Sequence, residues 1–231
     1  MRVMLFKICV LGAGGFVGKS LIHQNSEWVG VTRTDLDLTD QIAVEDYFNI
    51  HEYDAVIHCA VVGGSRLKKD ESAVIYKNIL MFENVVRVFK GKLIYFSSGA
   101  ALRGDPPTDP YGLSKWVIDK RIQNIPNAYT LRIWGCYGPG ELSTRFSAIC
   151  KRDGHVNIDK DRYFDFVDVK YVGEIVQQYV FGRWLMPKCC NLVYPKKMLL
   201  SEWAVFFGAT FTIGDTSGLD KPYISSTLTS S

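Results

Sequence analysis

Along the first two thirds of the chain, short apolar runs alternate with stretches of helical spacing. Residues 5–11 read Leu-Phe-Lys-Ile-Cys-Val-Leu, the pattern of a buried parallel strand. Helical spacing follows over 19–23, then a second strand at 28–32 and a helix at 42–48 capped by Thr39 or Asp40. A buried strand at 55–60 leads to a long amphipathic helix at 72–89 and a strand at 92–96. Asp109 as N-cap and Pro110 at the first helical position start another helix, and 128–133 is a further strand. Strands in regular alternation with helices predict an α/β fold, a doubly wound parallel sheet. Residues 134–140 read as a turn-rich exit from the sheet, and the rhythm then loosens. The pattern predicts a helix at 142–150, a turn at Asp153-Gly154 and a strand or extended segment at 163–169. A helix at 171–184, a short strand at 191–194 and a short helix at 200–207 follow. Residues 210–231 are rich in Ser, Thr and Gly, and are expected to be partly ordered at best, with Tyr223 and Ile224 as anchors.

Composition narrows the class. The 231 residues are 47% hydrophobic and 22% charged, as in an ordinary globular protein with a sizeable core. A formal charge of +3 gives no argument for nucleic acid or a membrane surface, and no apolar run reaches the length of a membrane span. The first residues are too short an apolar run for a signal peptide. Cysteines at 9, 59, 136, 150, 189 and 190 lack the spacing of a metal site, so no metal is expected. Cys9 and Cys59 fall in apolar runs, and a reducing, cytoplasmic setting is the expectation.

Two stretches carry chemistry. Gly12, Gly15 and Gly18 stand between the first strand and the first helix. In that context Gly12 allows a sharp turn, Gly15 lets a pyrophosphate approach the backbone, and Gly18 lets helix and sheet pack closely. After the second strand comes Arg33 and then Asp35. A cation there suits the extra phosphate of NADP, an acid the ribose of NAD, so the order leans toward NADP; Arg33 as a solvated loop charge is the alternative. His58 sits among apolar neighbours and reads as a buried, hydrogen-bonded histidine. Asn78 and Asn84 interrupt the long helix, either bonding backbone or water or facing solvent. Ser97 and Ser98 end a strand, where ligands of such sheets bind. Tyr111 and Lys115 lie one helical turn apart on the helix begun by Asp109-Pro110. A tyrosine ionises near about 10, and an adjacent ammonium lowers that value toward useful acid/base chemistry on an alcohol or ketone.

Together these segments resemble the extended short-chain dehydrogenase/reductases, the NAD-dependent epimerase/dehydratase family, whose members modify nucleotide sugars. The resemblance rests on Gly12-x-x-Gly15-x-x-Gly18, 35–40 (Asp-Leu-Asp-Leu-Thr-Asp), 57–60, Asn78, Ser97-Ser98, Tyr111-x-x-x-Lys115, Tyr137-Gly138-Pro139 and 164–169. It runs from about residue 5 to about residue 180, and the wording at 35–40, 62–64 and 78 is most like the GDP-fucose synthase branch. It implies a Rossmann-type cofactor domain at 1–140 and a small substrate-binding region at 141–231, with some segments returning to the core. It also implies roles. Tyr111 would be the acid/base at the sugar C4 oxygen, Lys115 would lower its pKa and bond the nicotinamide ribose, and Ser98, with Ser97 second, would bond the same oxygen. Gly12, Gly15, Phe16, Val17 and Gly18 would line the pyrophosphate, Arg33 the adenosine side, Asp37 and Leu38 the adenine. Cys59, Ala60 and Asn78 would complete the cofactor site.

Departures bound the chemistry. The cysteine of the GDP-fucose synthase branch falls on Ala100 or Ala101, and His155 does not match its histidine, so no base for the neighbouring carbons is named. Gly135-Cys136 replaces an Asn-containing motif, and the substrate half is short. The expected function is an epimerase or 4-keto-reductase of a nucleotide sugar using NADP, with NAD as the other choice. The alternative is a cofactor-binding regulator or scaffold without turnover. Arg145 and Arg162 suit a substrate diphosphate or are solvated charges. By analogy a homodimer would pair through the helices at 72–89 and from Pro110.

Overall fold

The computed structural model describes residues 6–65, 67–182 and 186–225. In chain order the elements begin β1 (Ile8–Leu11), α1 (Phe16–Gln24), β2 (Val29–Val31), α2 (Gln41–Ile50), β3 (Ala55–His58) and α3 (Ala73–Val88). They continue β4 (Lys92–Ser98), a short 3-10 turn (Gly99–Leu102), α4 (Pro110–Ile122), β5 (Ala128–Ile133), β6 (Gly135–Tyr137) and α5 (Phe146–Asp153). The last are β7 (His155–Lys160), β8 (Phe166–Asp168), α6 (Val169–Phe181), β9 (Cys189–Leu192), α7 (Leu200–Phe206) and β10 (Thr210–Asp215).

Six strands form one sheet in the order β2-β1-β3-β4-β5-β9. Its first four strands are parallel, with Cys9 opposite Val29 and Val56, and Ile57 opposite Ile94. β1 and β3 are buried along their whole length, which is why both read as unbroken apolar runs. Leu21, Val44, Phe82, Ile118 and Ile122 cover the sheet from the helices, all at 1% exposure or less. Full burial of side chains this size contributes about 2–3 kcal/mol each. The chain leaves β1 toward β2 on one side and meets β3 on the other. The ends of β1 and β3 therefore flank the crevice where such sheets bind ligands. Two compact units emerge. One runs to Arg132 and takes back Gly173–Cys190; the other comprises Ile133–Val172 and the chain from Asn191.

The second unit has its own core. Trp203 is fully buried among Phe164, Phe166 and Phe207, and its Nε1 donates to the Phe164 carbonyl at 2.8 Å. Two small parallel sheets, β6 with β8 and β7 with β10, frame it.

Several boundaries differ from the sequence expectations. The turn-rich stretch after β5 contains β6, which pairs residue by residue with β8. α5 begins at Phe146 rather than at 142 and runs through Asp153, with Gly154 at φ 65° as its left-handed cap. β7 follows at once where no strand was expected. Thr210–Asp215, expected to be partly ordered at best, is a strand on β7, and Tyr223 bridges to Phe164. Residue 5 of the first expected strand, residues 183 and 184 of the expected 171–184 helix and residues 226–231 lie outside the described residues. Among the described residues, no helix is long and apolar enough to cross a membrane.

Candidate active site

The turn after β1 is built for close approach. Gly12 has φ +81°, and a Cβ there would lie 2.5 Å from the Ala60 nitrogen at the end of β3. A Cβ at Gly18 would strike the Gly12 carbonyl and come within 2.9 Å of the Ala13 Cα. At Gly15 a Cβ would meet only the Gly12 carbonyl oxygen, at an ordinary 3.5 Å, so the space over it is open. α1 starts at Phe16 and Val17 with Gly15 as an N-cap that has no side chain to offer. N–H groups of a first helical turn suit phosphate oxygens.

Beside this turn lies a cavity of about 380 Å³. Its wall is Leu11, Gly12, Gly14 and Gly15 on one side and Cys59, Ala60, Val61 and Val62 on the other. Val31, Leu36, Leu38 and Met81 make it apolar within, a slot suited to a flat base. Arg33, Asp37, Thr39 and Lys77 stand at its polar margin. Asp35 and Asp37, after β2, are bonded within their own loop. Asp35 accepts from the Thr32 amide at 2.8 Å and hydroxyl at 2.6 Å. Asp37 Oδ1 accepts from the Thr39 amide at 2.9 Å and hydroxyl at 2.7 Å. The Thr39 bonds, with the nearby charges of Arg33 and Lys77, draw the Asp37 pKa down. Arg33 itself is 82% exposed at its side chain and 3.7 Å from Asp37. Asp40, rather than Thr39, caps α2, accepting from Ile42 and Ala43.

Tyr111 and Lys115 share one face of α4. Asp109 caps that helix by accepting from the Gly112 amide at 2.8 Å, with Pro110 at its first position. Lys115 is 2% exposed. Its Nζ donates to the Tyr95 hydroxyl and the Phe96 carbonyl, both at 2.8 Å, and lies 5.7 Å from the Tyr111 ring centroid. Burial pushes the Lys115 pKa down to about 7, while Asp119 and Cys59 hold it up. Asp119, one turn further, is buried and receives Arg132 Nε at 2.7 Å.

Tyr111 is held from two directions. Its carbonyl accepts the Ser114 hydroxyl at 2.7 Å. Ser114 Oγ in turn accepts from Asn78 Nδ2 at 3.0 Å. Asn78 also binds both backbone groups of Val62, at 2.9 and 3.0 Å. The amide of Asn78 is therefore spent on the protein, and it positions the cavity wall. Asn84 likewise bonds backbone, the Leu38 carbonyl at 2.9 Å. Gly64, at φ +74°, packs on the Tyr111 ring, and its N–H donates to both oxygens of Asp70 at 3.0 Å.

The two serines differ. Ser98 Oγ accepts the Ala100 amide at 3.2 Å and keeps its own proton to donate. Ser97 Oγ is buried without a hydrogen bond among the described residues; it is near enough to Asp119 to lower a pKa that burial raises. His58 departs from expectation: it is buried, but neither ring nitrogen has a hydrogen-bond partner among the described residues. It packs on Phe82 and Tyr95, and burial pushes its pKa down to about 4. The Met81 carbonyl favours its cation without reaching hydrogen-bond geometry.

Arg145 and Arg162 belong to the second unit. Arg145 Nη1 donates to the Cys136 carbonyl at 3.1 Å, and Arg162 Nη1 is 2.9 Å from Asp220. His155 is tied to the Thr210 and Thr212 hydroxyls of β10. Lys77 was no candidate from sequence, although it stands one turn before Met81, the side chain that lies deeper in the same cavity.

Residues 8–170 match the NAD dependent epimerase/dehydratase family. A stretch of 113 residues is 31% identical to UDP-glucose 4-epimerase of Mus musculus, covering 42% of this chain and 33% of that protein. The chain thus aligns with about a third of that relative's length. In fold it is similar to dTDP-4-dehydrorhamnose reductase from Bacillus anthracis str. Ames, solved in complex with NADP. The TM-score is 0.83 at 18% identity, over 96% of this chain and 89% of that one. It is also similar to a GDP-L-fucose synthetase from Naegleria fowleri bound to NADP, with a TM-score of 0.74 at 15% identity over 95% and 83%. Likeness at these identities is one of fold.

Proposed function

Because the chain belongs to the NAD dependent epimerase/dehydratase family, we propose that it is an NADP-dependent nucleotide-sugar oxidoreductase acting at C4. It would reduce a 4-ketone or invert C4 through a transient ketone, with Tyr111 as acid/base. The observation that carries this reading is the buried Lys115 ammonium one turn from Tyr111, with Nζ 5.7 Å from the ring centroid.

When bound, the cofactor would give the hydride as NADPH in reduction and take it as NADP+ in oxidation. Gly12, Gly15, Phe16, Val17 and Gly18 would hold its diphosphate, since the turn leaves open space over Gly15 and the start of α1 has no side-chain cap. Leu38, Asp37, Cys59 and Ala60 would receive the base, and Arg33 the adenosine side. Asn78 acts through Val62 and Ser114. Asp35 and Asp37 each have one oxygen engaged by their own loop while Arg33 is loosely held, which favours NADP over NAD. The reductase and the synthetase of similar fold were both solved with NADP, in accord with this choice.

In the reaction, Tyr111 gives its proton to the C4 oxygen during reduction, or takes it during oxidation. Lys115 favours the tyrosinate by its charge. It also has one N–H left after Tyr95 and Phe96, free for a ribose hydroxyl. Ser98 donates to the same C4 oxygen; Ser97, beside Asp119, is the second choice. Residues 1–140 would carry the cofactor and 141–231 the sugar nucleotide, apart from segments such as Gly173–Cys190 that return to the first unit. Arg145 and Arg162 would serve its diphosphate, Arg162 by giving up Asp220.

The test is purified protein with NADPH and a panel of GDP-, dTDP- and UDP-linked sugars and their 4-keto derivatives. Loss of the nicotinamide absorbance, or a C4-altered product on chromatography, supports the reading. NADPH binding without turnover of any of them would instead mark a cofactor-binding protein.

A further inference from the structure

Lys77 is assigned no role by the glycine turn or by the Tyr111 face of α4. Its neighbour Asn78 is pinned to Val62 and Ser114, which fixes the rotation of α3 at this point. That rotation puts Lys77 and Met81, one turn apart, on the wall of the nucleotide cavity. Met81 is buried and Lys77 is exposed at the rim. The loop between β2 and α2 brings Arg33 and Asp37 to the same cavity. Lys77 makes no hydrogen bond or ion pair with another described residue, yet its charge reaches Asp37. Among the described residues, Arg33 is bound only by a 3.7 Å contact to the same Asp37. Both cations are therefore available, whereas Asp35 and Asp37 are bonded to Thr32 and Thr39. Two loosely held cations, beside carboxylates that each have one oxygen engaged by two donors of their own loop, suit a phosphate monoester.

We propose that Lys77 is a second cation of a ribose-phosphate site, facing Arg33 across the rim. Discrimination between a phosphorylated and an unphosphorylated adenosine ribose then comes from two elements, the loop after β2 and α3. This rests on the reading of the cavity as a dinucleotide site.

The experiment compares the protein with its Lys77→Met, Lys77→Arg and Arg33→Met variants by fluorescence titration of NADPH and NADH, and of 2′,5′-ADP and 5′-ADP as competitors. Lys77→Met is expected to weaken NADPH and 2′,5′-ADP about tenfold, the scale of one charge-assisted phosphate bond, while NADH and 5′-ADP are unchanged. Lys77→Arg keeps the preference, and the Met double variant loses it. Equal weakening of all four nucleotides would put the ammonium on the base or the diphosphate and overturn the proposal, as would no change in any. If the unaltered protein binds neither NADPH nor NADH, the dinucleotide reading falls, and this proposal with it.

Discussion

A Cβ on Gly64 would lie 2.8 Å from both Cε2 and Cζ of Tyr111, so the glycine backbone is seated against the hydroxyl-bearing edge of the ring. The seat is closed by Asp70, which accepts the Gly64 N–H on both oxygens. Gly64→Ala must displace the ring and also pay for φ +74°, a strain of about 1–2 kcal/mol. Turnover should fall by about tenfold or more with NADPH affinity unchanged, because a misplaced acid costs rate before it costs cofactor binding. Wild-type turnover in Gly64→Ala would show that the seat does not matter.

Asn78 is a staple between the loop after β3 and α4. Asn78→Ala leaves the Val62 amide and carbonyl and Ser114 without that partner. A loss of about 2–4 kcal/mol in urea unfolding is expected, from several buried hydrogen bonds at about 1 kcal/mol each plus the uncovered groups. A loss below about 0.5 kcal/mol would mean water replaces the amide at no cost.

Lys115 should govern one limb of the pH profile. Its ammonium is complete below its pKa of about 7 and is lost as pH rises through that value. Activity that needs the ammonium therefore declines on the alkaline side. Asp119 is the larger of the two influences, with Cys59, that hold this pKa up against burial. In Asp119→Asn the alkaline limb of kcat should move to lower pH, by about one unit. An unmoved limb would separate Lys115 from the profile.

His58 ties stability to acid pH. Its folded pKa of about 4 lies below its ordinary value near 6.5, so the unfolded chain binds the proton first. The stability this contributes is complete above about 6.5 and is lost as pH falls toward 4. Between about pH 7 and about pH 5 the loss from this group is about 2 kcal/mol. Urea midpoints of His58→Leu should fall less over that range than those of the unaltered protein. Equal slopes would assign the pH dependence elsewhere.

What could be read from sequence follows from where the physical cause lies. The glycine turn is local: three glycines between a buried run and a helix leave little else for the backbone to do. α4 is legible from Asp109-Pro110 and not from an apolar stripe, because its buried face carries Ser114, Lys115 and Asp119. β7 and β10 are not local. His155 and Thr210 pair although β8, α6, β9 and α7 lie between them in the chain, and β10 is mostly exposed, so it does not announce itself by hydrophobicity. β6 hides in a glycine-rich turn because its partner β8 lies far along the chain. Lys77 reads as a solvated helix charge until the packing of Asn78 fixes the helix rotation.

The central claim is that Tyr111 exchanges a proton with the C4 oxygen of a nucleotide sugar. Its most direct test is the turnover number of Tyr111→Phe, measured with NADPH and whichever sugar of the panel the unaltered protein converts. Phenylalanine keeps the ring on Gly64 and removes only the hydroxyl. The account predicts a fall of about a hundredfold to ten-thousandfold, the usual share of a general acid, with NADPH binding retained. Turnover at the unaltered rate would contradict it.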